Sequence, residues 1–180
     1  MQPQNSMERN YHIFYMLCAA CEPDYCLSAP DDFRYLNTSG CTTIDGMDDE
    51  KELAAMIAAF NGLDFSDEER AAVFSVVAAI LHLGNIEFEA KAGSNSDGSQ
   101  ITEDARYSLG QAARLLEVDP ALLEASLGEL NYTIRGENVQ VFFTPEKVIH
   151  QRLLLVSRLH ISLRLHVFFL TRPHSFCVLV

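Results

Sequence analysis

Ala78 to Phe88 constrains this chain more than any other stretch, because the spacing of its apolar residues changes partway along. Leading into it, Val73, Val76, Val77, Ile80 and Leu81 recur at helical spacing. After Gly84 and Asn85, the run Ile86-Glu87-Phe88-Glu89 alternates as a strand does. Such a switch calls for a buried helix that feeds directly into a strand. Gly-Asn at the joint fits a helix C-terminus, and Gly84 is expected to hold a positive φ there.

Composition sets the outer bounds. At 180 residues and 48% hydrophobic content, the chain is long and apolar enough for one domain with a core. A formal net charge of −12 makes nucleic acid and anionic membrane poor partners for its body. The charge is unevenly placed: every acid lies at or before Glu146, and from Arg152 onward the only charged residues are arginines. A composition break is therefore expected near Arg152. Five cysteines cannot all pair within one chain, so free thiols in a reducing cytoplasm are the simpler expectation. The apolar run Ile13 to Cys21 is read as a packed helix rather than a secretory leader, because Glu8 sits where a leader is basic. No stretch is expected to span a membrane.

Taken in order, Met1 to Met7 reads as a loose N-terminus. Glu8 to Ala20 reads as a helix with Tyr11, Phe14, Tyr15 and Cys18 on its inward stripe, and His12 as a hydrogen-bonded structural histidine. Cys18-Ala-Ala-Cys21, with Cys26 and Cys41, could in principle ligate zinc, but no second close pair follows. Buried free cysteine is the preferred reading. Glu22 to Thr43 is loop with one ordered island that docks Phe33, Tyr35 and Leu36. Asp48 or Asp49 caps a helix with stripe Leu53, Met56, Ile57 and Phe60, ended by Gly62. Ser66 to Glu69 is a capping box; its acids do not have the spacing of a calcium loop. Lys91 to Gln100 is a surface loop. A helix from Thr102 or Glu103 turns Leu109, Ala112, Ala113 and Leu116 inward. Asp119-Pro120 opens another, grouping Leu123, Leu127 and Leu130. Tyr132 to Ile134 and Val139 to Val141 flank a turn at Arg135 to Asn138, a hairpin signal. Thr144-Pro145-Glu146 restarts a helix, and Arg158 to Val167 alternates strictly, as a strand with a basic face would. The fold class that follows is mainly α with a small β component.

Three blocks also carry a resemblance. Val76 to Phe88, Glu8 to Tyr15 and Asp32 to Asn37, with Ile44-Asp45-Gly46 shortly after, resemble segments of myosin motor heads in order and spacing. The resemblance covers roughly Met7 to Arg152 and implies the actin-facing upper subdomain of the head, a slice without the nucleotide-binding core. Ser28 to Asn37, together with the Gly-rich loop after Phe88, resembles the class that walks toward the filament minus end. After Gln151-Arg152 the family usually reads Asp-Ala-Leu-Ala-Lys, where this chain reads Leu-Leu-Leu-Val-Ser. Leu153 to Val180 is accordingly expected to be foreign to the fold, from an unremoved intron or a shifted frame. A basic membrane-surface segment is the alternative.

The parent family hydrolyses ATP with magnesium, using a P-loop and two switches. None of the nine glycines here is followed by lysine, so no P-loop can be written from these residues. Neither switch motif is present, and no catalytic, cofactor-binding or metal-binding residue is assigned. The resemblance implies that the loop at Lys91 to Gln100 and the hairpin at Asn131 to Gln140 face the filament. Lys91, Asp97, Arg135 and Glu137 are the candidate contacts. Actin is acidic and so is this chain, so binding should centre on Lys91 and Arg135. Rival readings are a non-enzymatic actin-side interaction module and a small Cys-ligated metal domain. The expected location is the cytoplasm, on the cytoskeleton.

Overall fold

A computed structural model describes residues 8–91, 98–134, 137–150, 152 and 155. The described residues are mostly helical, with two separate two-stranded sheets among them.

The first helix, α1 (His12–Ala20), begins later than the periodicity suggests. Its approach segment spends its polar groups on distant ties instead. Arg9 pairs with Asp49 at 2.8 Å and lies over the Tyr15 ring at 3.8 Å. Asn10 donates its side-chain amide to the Tyr35 carbonyl at 3.0 Å and its backbone N–H to the Tyr15 hydroxyl at 3.1 Å. Tyr11 is consequently exposed rather than on the inward stripe, while Phe14, Tyr15 and Cys18 are buried. His12 is exposed as well, which corrects its reading as a structural histidine. The buried histidine of the fold is His82. Cys21 closes α1 with a left-handed residue, φ 47°.

Short 3-10 turns at Pro23–Tyr25 and Pro30–Asp32 lead into α2 (Arg34–Asn37), the ordered island. Phe33 and Leu36 are buried there, and Tyr35 is half-buried. The next helix, α3 (Asp49–Gly62), is capped by Asp48, whose side chain accepts the Lys51 N–H at 3.2 Å. Its acidic first turn suits the helix dipole. Only Leu53 of its stripe is fully buried; Met56, Ile57 and Phe60 are half-covered. Gly62 is its last helical residue, and Asp64, two residues on, takes the positive φ of 59°.

Helix α4 (Asp67–Gly84) is the centre of the molecule. Ser66 and Glu69 form the capping box in both directions, at 3.1 and 2.8 Å. Its first turns are exposed, but every residue from Val77 to Gly84 is buried. It packs against α1 and α2, and α3 lies on α1. A helix apolar all round must be enclosed on all sides, and these neighbours provide the walls.

Gly84 is not at a positive φ, as only Gly40 and Gly46 among the described glycines are. Asn85 after it is right-handed, φ −88°. The glycine is required by proximity instead: a Cβ there would meet Tyr35 Cδ2 at 2.7 Å. The strand also starts later than the alternation implies. Ile86 is fully buried in the core, and β1 is Phe88–Ala90.

Strand β1 pairs antiparallel with β2 (Ser99–Ile101), so the expected loop loses Ser99 and Gln100 to the sheet. A 3-10 turn at Glu103–Ala105 opens α5 (Arg106–Leu115), which packs on α4. Leu109, Ala112 and Ala113 are buried as expected, but Leu115 takes the buried place expected for Leu116. Asp119 caps α6 (Pro120–Gly128) by accepting N–H groups from Ala121 and Leu122. Leu123 and Leu127 face the core. Leu130 does not join them, because α6 ends at Gly128 and Leu130 belongs to the next strand, where it is exposed. That strand, β3 (Glu129–Ile134), pairs with β4 (Glu137–Phe142). A final helix, α7, covers 145–150, and 152 and 155 are also helical. Val148 and Arg152 are buried, and Leu155 packs partly covered against the core. Met1 to Met7, and the alternating run Arg158 to Val167, lie outside the described residues. No helix among the described residues is long and apolar enough to cross a membrane.

Candidate functional site

Two hairpins carry the site that the sequence nominates. In the first, Phe88 pairs with Ile101, Glu89 with Gln100 and Ala90 with Ser99. The Lys91 N–H donates to the Gly98 carbonyl at 3.1 Å, which extends the ladder by one bond. Gln100 donates its amide to Glu89 at 2.8 Å across the strands. Ile101 anchors the base in the core, and the Thr102 N–H donates to the Glu87 carbonyl at 3.1 Å. Lys91 is exposed at the open end. Asp97 lies outside the described residues.

The second hairpin is longer. Its register runs from Glu129 opposite Phe142 to Ile134 opposite Glu137. Alternation then sorts its two faces. Glu129, Asn131, Thr133, Asn138, Gln140 and Phe142 share one face. There Gln140 donates to Glu129 at 2.8 Å, and the Thr133 hydroxyl donates to Asn138 at 2.9 Å. Leu130, Tyr132, Ile134, Glu137, Val139 and Val141 share the other, where Val141 packs partly against the core. On it Leu130 is 48%, Tyr132 40% and Ile134 51% exposed. Glu137 is exposed at the turn, and Arg135 lies outside the described residues. Lys91 and Glu137 thus sit at the ends of two different hairpins.

The exposed apolar face is the feature that the sequence reading missed. Its alternation was legible, but alternation alone does not say which face meets the core. The sequence pattern groups Leu130 with Leu123 and Leu127, whereas the structure places it on this face.

Below the hairpins, polar groups organise the end of α4. The Asn85 side chain accepts the Arg34 N–H at 3.0 Å and donates to the Asp32 carbonyl at 2.7 Å. Arg34 also pairs with Glu87. Arg152 reaches the same place from α7, donating to the carbonyls of Gly84 at 3.1 Å and Ile86 at 2.5 Å. One turn back, His82 Nε2 lies 3.1 Å from the Tyr25 carbonyl. A carbonyl can only accept, so Nε2 carries the proton. Burial holds this imidazole below its ordinary pKa, Arg114 adds to the effect, and the Tyr25 carbonyl opposes it.

Cys18 is buried, Cys21 exposed, and Cys26 and Cys41 lie between; all four are free. Burial, with Cys21 next to it, pushes the Cys18 thiol up to about 12, so it stays protonated at neutral pH. Among the described residues no three of His, Cys, Asp and Glu converge as metal ligands. What the geometry offers is two projecting ladders, one with a half-uncovered apolar face.

Comparison with known proteins places this architecture. The family model for the myosin head (motor domain) matches residues 2–164. The chain belongs to the myosin head family. The match runs past Arg152, where the composition changes. Among curated relatives from Arabidopsis thaliana, myosin-7 is 44% identical over 142 residues, which is 77% of this chain and 8% of that protein. Myosin-16 is 41% identical over 150 residues, 81% of this chain and 11% of its own length. Myosin-6 is 41% identical over 172 residues, 87% of this chain and 11% of its own length. The chain thus spans about a tenth of the length of these relatives.

Proposed function

We propose that this chain is the filament-facing slice of an actin-based myosin motor, and that its own contribution is binding rather than catalysis. The half-uncovered apolar face of β3–β4 carries the reading: a ladder that packs Val141 on the core and leaves Leu130, Tyr132 and Ile134 about half exposed is suited to a protein surface. Lys91, Asp97, Arg135 and Glu137 at the hairpin ends would add local charge contacts around it. The parent activity would be ATP-driven movement along actin, with ATP and magnesium held by segments other than these. No glycine here precedes a lysine, so these residues lack the phosphate cradle that such hydrolysis uses. The location that goes with this reading is the cytoskeleton.

The experiment is co-sedimentation of the full chain with actin filaments at physiological salt, beside a phosphate-release assay with Mg·ATP. The expected result is weak, saturable pelleting without turnover. Tyr132→Ser with Ile134→Ser should lower the pelleted fraction several-fold, and Lys91→Glu less. Pelleting that ignores the hairpin variants would overturn the assignment. Turnover stimulated by filaments would show that these residues hold a nucleotide site.

A further inference from the structure

Arg152 is a buried cation, 8% exposed, and among the described residues no carboxylate pairs with it. A buried charge without a counter-ion is costly unless something else compensates it. Backbone supplies part of the compensation, while the buried Nε of Arg152 has no hydrogen-bond partner among the described residues. Its Nη1 donates to the carbonyls of Gly84 and Ile86, at and just past the last turn of α4, where carbonyls lack helical partners. The negative end of the helix dipole favours a cation at that place, and bonds from an ionised donor are the stronger kind. Burial and Arg34 draw the guanidinium below its ordinary pKa, while Tyr35 opposes them, and an arginine stays charged at neutral pH.

The position of these two carbonyls in the chain gives the contact its meaning. Ile86 is two residues before β1, so Arg152 fixes the root of the first hairpin. Arg152 itself lies on the helix that follows β4, with buried Phe143 and Val148 between. Apolar packing of α6 on β2 and β3 holds the hairpins laterally. Each base is also closed locally, by the Thr102 N–H on the Glu87 carbonyl at 3.1 Å and the Phe143 N–H on the Gly128 carbonyl at 2.9 Å, but neither of these bonds links one hairpin to the other. We propose that Arg152 is a shared positioning residue, tying the exit of β3–β4 to the root of β1–β2 so that the two hairpins are held in one fixed relation. That these hairpins face a filament rests on the function proposed above; the tie between them does not.

Hydrogen exchange on the full, filament-free chain tests it. Arg152→Met should raise exchange about tenfold in both ladders, Phe88–Ala90 with Ser99–Ile101 and Glu129–Ile134 with Glu137–Phe142, while α1 and α3 stay unchanged. Arg152→Lys keeps the charge and a single nitrogen donor on a differently shaped stem, and should give a smaller rise in both. Leu53→Ala, a core truncation in α3, should show the opposite pattern, loosening α1 and α3 and sparing the ladders. Loosening of one hairpin alone, uniform loosening of the kind global destabilisation gives, or no change would each overturn the proposal. Should Arg152→Met not fold, the ratio of the two ladders in Arg152→Lys decides the same question. Filament co-sedimentation is a separate measurement, so failure there leaves this result standing.

Discussion

The last two turns of α4 and the β3–β4 hairpin each carry four branched aliphatic side chains, yet they meet different fates. From Val77 to Gly84 every residue of α4 is buried, Leu81 and Leu83 completely. In the hairpin, Leu130, Tyr132, Ile134 and Phe142 are all exposed. The difference lies in what surrounds each element. Helix α4 is walled by α1, α2 and α5, whereas the hairpin touches the body chiefly through α6 and the buried Phe143 at its base. Apolar residues in the first place hold the fold together; in the second they are available to a partner.

The largest effect should come from the walled side. Leu81 is completely buried in the core, so Leu81→Ala removes its contacts and leaves a void that rigid helices cannot close. The cost should be about 2–5 kcal/mol, read as a lower urea midpoint. A shift no larger than that of a surface substitution would mean that α4 is not the enclosed element.

Gly84 comes next, where a Cβ would meet the Tyr35 ring at 2.7 and 2.9 Å. Gly84→Ala should cost about 1–3 kcal/mol through overpacking. Tyr35→Leu in the same chain should recover part of that, because it removes the ring the methyl strikes. A backbone cause would leave the loss intact in the double variant, so the cycle separates close approach from conformational strain.

The third effect depends on pH. His82 is held neutral by burial, with its folded pKa below the unfolded value of about 6.5. The unfolded chain therefore binds the extra proton first. The His82 contribution is fully present above about 6.5 and is lost as pH falls through that value toward the folded pKa. Around the ring stand the Tyr25 carbonyl, the Phe33 and Tyr107 rings at 5.7 and 6.4 Å, and the Arg114 charge. None of these is an anion that would stabilise imidazolium. His82→Gln retains a donor for the Tyr25 carbonyl, so its deficit should be about 1 kcal/mol at pH 8. That deficit should shrink toward pH 5. A constant difference across that range would show that His82 does not titrate with unfolding.

Much of this was legible in the residues. Elements whose signal is local came through: the Ser66 capping box, the Asp119-Pro120 start, the hairpin at 129–142 and the enclosed run in α4. What failed depended on partners far along the chain. Tyr11 reads as core by period, but Arg9 and Asn10 reach Asp49 and Tyr35 and hold the segment out of the helix. Gly84 reads as a turn glycine, whereas its reason is a ring some fifty positions upstream. Of the site, the hairpins and the exposure of Lys91 and Glu137 were readable. The apolar face was not, since a period of two fixes which residues share a face and leaves open what that face meets.

The smallest effect on stability belongs to the hairpin. Leu130→Thr, on the half-exposed face and opposite Val141, removes little buried surface and places a β-branched residue in a strand. Folding should change by less than about 0.5 kcal/mol, as for other substitutions away from buried contacts. If the face serves a filament, the same change should still lower co-sedimentation measurably, giving a variant that folds normally and binds poorly. Leu81→Ala should behave in the opposite way below its unfolding midpoint, keeping the binding of whatever fraction stays folded. A large loss of stability in Leu130→Thr would show that the apolar face is packed against the body, and the contrast between the two regions would then fail.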